Sequence, residues 1–251
     1  MSITTDEIKF YGSAVMAEDD VTTAIGGAIA LTKKIEFTQM SGNSTLEAVS
    51  SSVSDTTQTI TVTGRNAAGT IISSAVVLTG TSPVALDALT FERILKATLS
   101  GTAVGTVTIR NSSGGTVWST MEPGLTEVRV PFYNSAADPS GGAEKTYYEK
   151  IFVKNTNATL SLLSGQISEQ SDPTGLITFG VAATLNDSGT NGANNRQVAP
   201  GAITFNNSAK NVITGELPAT EYQGIWLELR LPAGNAAQKS TYTLKVTGTS
   251  I

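Results

Sequence analysis

Apolar residues alternate with hydroxyl residues along most of this sequence, and this period of two restricts the possible folds more than any other feature. Within residues 57–65, Ile60 and Val62 fall on one side of an extended chain and the neighbouring threonines fall on the other. Such alternation predicts strands with one buried face and one wet face. The spacing of three to four residues that marks an amphipathic helix is almost absent. The pattern therefore predicts an all-β protein.

Turn signals separate the predicted strands. Residues 66–69, Asn-Ala-Ala-Gly, follow the first clear strand, and residues 70–78 return as a second, so the pair predicts a hairpin. Further strands are predicted at 91–99, 105–110, 116–120, 127–132, 147–154 and 159–167. Short strands at this spacing are typical of an antiparallel β-sandwich, either immunoglobulin-like or jelly-roll-like.

Changes of composition suggest how the chain is divided. We assign the central β-sandwich to residues 34–168 and a linker to the polar stretch 169–175, which contains Pro173. Residues 176–251 then form a second, smaller β domain. Its clearest strands are predicted at 224–231 and 241–247, joined by a long loop that we expect to project.

Residues 1–33 do not resemble the start of the sandwich and are predicted to form an extended N-terminal arm. The arm contains one probable strand, in which Ile8, Phe10 and Tyr11 are candidate assembly contacts. An isolated strand needs a neighbour to pair with its open edge. We favour a neighbour in the C-terminal domain, with the sandwich inserted between, and the alternative is a strand of another subunit.

The residue types that are missing exclude several functions. The chain has no His and no Cys, which removes imidazole bases, thiol nucleophiles and Cys/His zinc sites. With 16 Lys+Arg against 21 Asp+Glu, its net charge is −5 and no basic cluster longer than two residues occurs, so we expect no nucleic-acid partner. No apolar run is long enough to span a membrane. We therefore expect a non-enzymatic protein without a cofactor and without a membrane partner.

Two segments contain acids that could bind a cation. A loop of the twelve-residue calcium type could begin at Asp187, but its third position is Gly189 and its twelfth is Val198, so the ligand set is incomplete. The segment 18–20, Glu-Asp-Asp, is more typical of a solvated turn than of a metal site. We therefore predict no metal centre, and we expect residues 185–199 to form a mobile surface loop with few apolar anchors.

Carboxylates and tryptophans are candidates for a sugar-cleaving or sugar-binding site. Glu122, Glu127 and Glu149 lie beside predicted strands, where ordinary surface charge is the simpler interpretation of each. Trp118 and Trp226 could offer flat faces to a glycan or to a partner. Both lie inside strand-like runs, which favours packing in a core or between subunits.

One segment resembles a known group of proteins. Residues 59–73, Thr-Ile-Thr-Val-Thr-Gly-Arg-Asn-Ala-Ala-Gly-Thr-Ile-Ile-Ser, resemble the β-sandwich virion structural proteins of tailed bacteriophages, and the resemblance continues through 78–84 and 91–96. Residues 8–13 and 224–234 are similar to the two ends of the same group. The resemblance implies a particle subunit without catalysis, and it transfers no functional residue to this sequence.

These observations together lead to a functional expectation. We expect a structural subunit of a tailed-phage virion, assembled in the host cytoplasm, that stabilises the capsid as a decoration or cement protein. The alternatives are a tail, neck or baseplate component, or a β module that binds a receptor or a glycan on the virion surface. The expected partners are other copies of the chain, with a trimer favoured, and either the major capsid protein or tail and baseplate proteins.

Overall fold

The computed structural model describes residues 2–18, 24–36, 40–133, 135, 142–193, 195–234 and 242–250. Strands dominate these residues, which confirms the predicted all-β class, and one short 3₁₀ turn covers Thr5–Glu7. The strands are β1 (Ile8–Val15), β2 (Gly26–Ile35), β3 (Ser44–Ser50), β4 (Thr59–Arg65), β5 (Ile71–Val77), β6 (Val84–Phe91), β7 (Arg93–Leu99), β8 (Val107–Asn111), β9 (Val117–Met121), β10 (Glu127–Arg129), β11 (Lys145–Asn155), β12 (Leu162–Ser171), β13 (Ile177–Leu185), β14 (Lys210–Asn211), β15 (Glu216–Leu217), β16 (Tyr222–Leu231) and β17 (Thr243–Ser250).

The chain divides into two compact units. Unit 1 comprises Met1–Ala30 with Asn134–Ile251, and unit 2 comprises Leu31–Tyr133, so unit 2 is an insertion in unit 1. The division differs from the predicted one, because residues 134–168 belong with the C-terminal residues and the predicted linker at 169–175 begins inside β12. The polar composition there reflects a strand with wet positions, followed by a turn whose Thr174 and Ile177 amides donate to the Asp172 carboxylate.

Unit 1 is built on two sheets. The first has the order β13-β16-β11-β1, and its central strands β11 and β16 are buried along most of their length. In the second sheet β12 is the middle strand, with β17 on one side and β14 and β15 on the other. A strand covered on both faces needs apolar side chains at successive positions. The fully buried apolar residues of these sheets include Ile151, Phe152, Ile167, Phe179, Leu217 and Leu227.

The predicted N-terminal strand is part of unit 1. Strand β1 pairs antiparallel with β11, from Ile8 opposite Asn155 to Gly12 opposite Ile151. Phe10 and Tyr11 lie within this pairing and are half-buried. The neighbour is in the same chain, but it is not in the C-terminal domain predicted at 176–251, because β11 lies within the range predicted for the central sandwich. Strand β11 belongs to unit 1, so the backbone of the predicted assembly arm is paired internally.

Unit 2 also contains two sheets, with the orders β10-β7-β4-β5 and β6-β3-β8-β9. The end of β2 joins the first sheet, where Lys33 to Ile35 run parallel to β10. In β4 the side chains of Ile60 and Val62 are 0% exposed, which confirms the predicted inner face. The predicted hairpin of β4 and β5 is also confirmed, since the two strands pair antiparallel along their whole length.

Candidate functional site

The most unusual side chain of unit 1 is Lys150, in the middle of β11. Its side chain is 0% exposed, although lysine is almost never fully buried without partners. Strand β11 is covered on both faces, so any residue at this position is buried whatever its polarity. The Lys150 amine must therefore find its hydrogen-bond acceptors inside unit 1.

Four oxygens surround that amine. Lys150 Nζ lies 2.5 Å from Asp187 Oδ2, 2.8 Å from the Gly189 carbonyl oxygen, 3.2 Å from that of Gly27 and 3.4 Å from that of Asp187. The Phe152 ring centroid lies 4.9 Å from the same nitrogen. We call Lys150, Asp187, Gly189 and Gly27 the Lys150 cage. The cage holds the segment after β13 and the start of β2 against β11.

Two glycines make room for the lysine side chain. A Cβ on Gly26, whose φ is +100°, would lie 2.9 Å from the Trp226 ring and 3.2 Å from Lys150 Cδ. A Cβ on Gly224 would lie 3.2 Å from Lys150 Cε. Any side chain at Gly26 would also strain the backbone, because positive φ disfavours residues with a Cβ.

Burial lowers the pKa of the Lys150 amine, and the hydrogen bond and negative charge of Asp187 oppose this effect only in part. An ammonium group has three donors, and here they are matched by the surrounding acceptors. Because the amine is both enclosed and bonded, no substrate atom reaches it in this conformation. The Lys150 cage therefore fastens loops instead of offering a nucleophile or a base.

The Lys150 cage bears on two predictions about residues 185–199. The Asp187 carboxylate binds the Lys150 amine and the Gly189 amide, so it is already engaged and does not lead a calcium loop. The prediction of few apolar anchors leaves room for polar ones, and Asn191 and Arg196 are buried, at 7% and 2% exposure. The anchors are polar side chains, which hydropathy does not reveal.

The two tryptophans lie in different environments. Trp226 is 2% exposed and forms a core cluster with Ile25 and Tyr148, so its ring faces are not open to a glycan. Trp118, in unit 2, is half-buried and donates from Nε1 to Asn111 Oδ1 over 2.6 Å. Core packing, the favoured interpretation, therefore describes Trp226.

Trp118 borders a small cavity of unit 2. The cavity has a volume of about 20 Å³ and is also lined by Ser119 and Arg129. This is room for about one water molecule and far too little for a sugar ring. The Ser119 hydroxyl is buried there without a protein hydrogen-bond partner. An ordered water is the species that this cavity suits.

The candidate carboxylates do not form a metal centre in the part of the chain that the structure describes. Glu127 faces Arg129, with an O–N distance of 3.5 Å, and Glu149 is buried in β11 at 2% exposure. Glu122 accepts a main-chain hydrogen bond from Leu125 in a turn. Among the described residues no group of three or more His, Cys, Asp or Glu could hold a metal ion, and Asp19 and Asp20 lie outside those residues.

A second buried charge, Asp55 of unit 2, was not singled out by the sequence. Its side chain is 0% exposed. Asp55 Oδ2 accepts from Ser50 Oγ at 2.5 Å and from the Gly105 amide at 2.9 Å, and Oδ1 accepts from the Val104 amide at 2.8 Å. The Asp55 carbonyl accepts from the Gly80 amide at 2.8 Å. One residue thus ties together three loops, at 50–58, 78–82 and 100–106, which we call the Asp55 platform.

Burial by itself raises the pKa of the Asp55 carboxyl, but hydrogen bonds from Ser50, Val104 and Gly105 outweigh burial and lower it below the ordinary value of 3.8. The carboxylate is therefore ionised and fixed at neutral pH. Two valines project from the platform that it holds, Val53 at 74% exposure and Val104 at 67%. The platform combines a rigid polar base with exposed apolar tips.

Comparison with known protein families, with curated proteins and with solved structures finds no match to this chain. Among the described residues, no helix has both the length and the apolar character that crossing a membrane requires.

Proposed function

We propose that this protein is a non-enzymatic structural subunit of a tailed-phage virion, and that it stabilises the capsid as a decoration or cement protein through contacts between subunits. The observation that carries the proposal is the use of the two most deeply buried charges among the described residues. Lys150 donates a hydrogen bond to the Gly189 carbonyl, and Asp55 accepts one from the Gly105 amide. Both residues therefore fix loops in place through main-chain groups. The sequence resemblance of residues 59–73 supports the setting on a virion.

The physical chemistry of the chain suits that role. A particle subunit must stay folded outside the cell, and a chain without cysteine has no thiol to oxidise. Threonine-rich strands such as β4 combine strand propensity with a wet outer face, which keeps free subunits soluble before assembly. Loops that are already fixed lose little further entropy when a neighbour binds them.

The glycan- or receptor-binding alternative relied on Trp226 or on the loop at 232–239. The burial of Trp226 weakens the first possibility, and residues 235–239 of the loop lie outside the described residues. The tail, neck or baseplate alternative differs from capsid decoration in the surface that is occupied and in the number of copies. Both belong to the same class of contact-forming proteins, so one binding experiment separates them.

The experiment is a titration of the purified, labelled chain onto bare capsids and, separately, onto isolated tails of the phage that encodes it. We expect saturable binding to capsids at a fixed ratio to the major capsid protein, together with a higher capsid melting temperature. Binding to tails alone would assign the subunit to the tail. Binding to neither, or turnover of a substrate by the free chain, would contradict the proposal.

A further inference from the structure

We propose that the Asp55 platform is a self-association surface, on which Val53 and Val104 of one chain pack against the same two residues of a second copy. The inference rests on the proposed function in one respect, because it names the surface by which copies of a structural subunit meet. Its evidence is independent and lies entirely in unit 2.

The first step is the exposure of the two valines. Val53 at 74% and Val104 at 67% are the most exposed large hydrophobic residues among those that the structure describes. They lie on neighbouring loops, since the Ser51 amide donates to the Thr106 carbonyl at 3.0 Å. A single exposed valine is ordinary, but these two are carried by loops in direct contact, since a Cβ on Gly105 would lie 2.6 Å from the Ser52 amide nitrogen.

The second step is the rigidity of the loops that carry them. The Val104 amide is bonded to Asp55, and a Cβ on Gly105 would lie 2.6 Å from Ser51 Oγ, so the loops are closely packed. Valine is β-branched and has few rotamers to lose on contact. Fixed loops with stiff apolar tips present a preorganised surface, and preorganisation reduces the entropic cost of association.

The absence of exposed charge on the Asp55 platform favours a second copy of the chain as its partner. Residues 50–58, 78–82 and 100–106 contain a single ionisable side chain, Asp55, and it is buried. The whole chain carries a net charge of −5, so two copies repel each other in general. They meet without like-charge repulsion where the surface is neutral. A two-fold contact uses the same patch on both partners, which a neutral patch of valine and hydroxyl groups satisfies.

The size of the platform sets the affinity of the contact between two copies. Two valines within a rim of serine and threonine make a small contact, which belongs to the weak, transient class in free solution. On a particle, each subunit is held beside its neighbours, and the same contact is strengthened by the raised effective concentration. The surface therefore suits a subunit that stays dispersed before assembly and links to its copies afterwards.

The test is sedimentation equilibrium of the full chain across micromolar to millimolar concentrations. The variant is Val53→Thr with Val104→Thr, because threonine keeps the shape and branching of valine while removing its apolar character. The matched control is Val117→Thr, on β9, whose side chain is 52% exposed but lies outside the Asp55 platform. We expect the double variant to weaken self-association about tenfold or more and the control to leave it unchanged.

Each outcome decides the inference. A wild-type chain that stays monomeric at millimolar concentration would overturn it, as would equal weakening by Val117→Thr or association that the double variant does not change. A monomeric chain that binds capsids through Val53 and Val104 would also overturn it and would make the capsid the occupant. Self-association through the two valines without any binding to particles would support the inference and overturn the proposed function.

Discussion

Lys150 in unit 1 and Asp55 in unit 2 are both 0% exposed, yet the protein treats the two charges in opposite ways. For Lys150, burial dominates and lowers the pKa, so the environment opposes the charged form, and the Asp187 carboxylate offsets this only in part. For Asp55, converging hydrogen-bond donors dominate and lower the pKa, which favours the charged carboxylate. The two groups show that burial alone does not decide the charge state of a residue.

The difference follows from the neighbours of each group. Asp55 receives two main-chain N–H groups and one hydroxyl group within 2.9 Å, and its charge strengthens all three bonds. Lys150 donates to carbonyl oxygens and to Asp187 from the middle of a covered sheet, where the effect of removal from water on its pKa exceeds the opposing effect of Asp187. We therefore expect Asp55 to contribute more to the stability of its unit than Lys150 contributes to its own.

If unit 2 tolerates a buried carboxylate that has no hydrogen-bond donors, the contrast between Asp55 and Lys150 fails. Ile60→Asp places a carboxylate in the covered face of β4, where it replaces a fully buried apolar side chain. We expect a loss of about 4 kcal/mol or more in the free energy of unfolding of unit 2, measured by urea denaturation. Thr61→Asp, on the outer face, is the control and should cost less than about 1 kcal/mol. The reverse order would contradict the assigned strand face.

Removal of the Asp55 carboxylate tests its role directly. Asp55→Ala leaves the Val104 and Gly105 amides and the Ser50 hydroxyl without their acceptor. We expect unit 2 to lose about 3 kcal/mol of stability, as read from its urea midpoint. Ser50→Ala removes one donor and should cost about 1 kcal/mol. A smaller effect for Asp55→Ala than for Ser50→Ala would show that the carboxylate does not organise the loops.

Replacement of the Lys150 amine tests the other half of the comparison. Lys150→Met keeps an unbranched side chain but leaves Asp187 without its cation, and Asp187, at 24% exposure, can regain water. We expect unit 1 to lose about 2 kcal/mol, with faster proteolysis within residues 185–199. Lys245→Met, at an exposed position, is the control. Unchanged proteolysis within residues 185–199 would show that the Lys150 cage does not hold this segment.

The smallest expected effect is a pH dependence of the stability that Asp55 contributes. Because the folded-state pKa of Asp55 is lowered, its stabilising contribution is complete above the unfolded value and is lost as the pH falls from about 3.8 through the lower folded-state value. The stability difference between wild type and Asp55→Asn should therefore be constant from neutral pH to about pH 5 and shrink below it. Urea denaturation at several pH values measures this, and a constant difference down to pH 2 would contradict it.

Much of the fold could be predicted from the sequence, because strand alternation and turn chemistry are local properties. The sequence pattern predicted the inner face of β4, the turn at residues 66–69 and the insertion of one domain in another. The division at 169–175 did not hold, because a polar run can be a strand with a wet face. The pairing of strands decides the division of the chain. Strand β11 pairs with β16 from Lys145 to Lys154, so residues 145–155 belong with the C-terminal residues.

Neither the Lys150 cage nor the Asp55 platform could be predicted. Lys150 lies in a run of aromatic and aliphatic residues, Tyr-Tyr-Glu-Lys-Ile-Phe-Val, and a charge inside such a run is the one signal that pointed to burial. Asp55 lies among serines and threonines and is indistinguishable from an ordinary turn residue. Its acceptor role depends on Val104 and Gly105, which are about fifty residues away in the chain.

By itself, the sequence determined that this chain forms sheets, because a period of two fixes which side chains share a face. It also determined that imidazole and thiol chemistry are absent, because the residues are absent. Only the tertiary structure decided which charges are buried, since a side chain loses water through contacts with distant segments. It also decided which valines remain exposed, because exposure depends on what packs beside a loop and not on the residues within it.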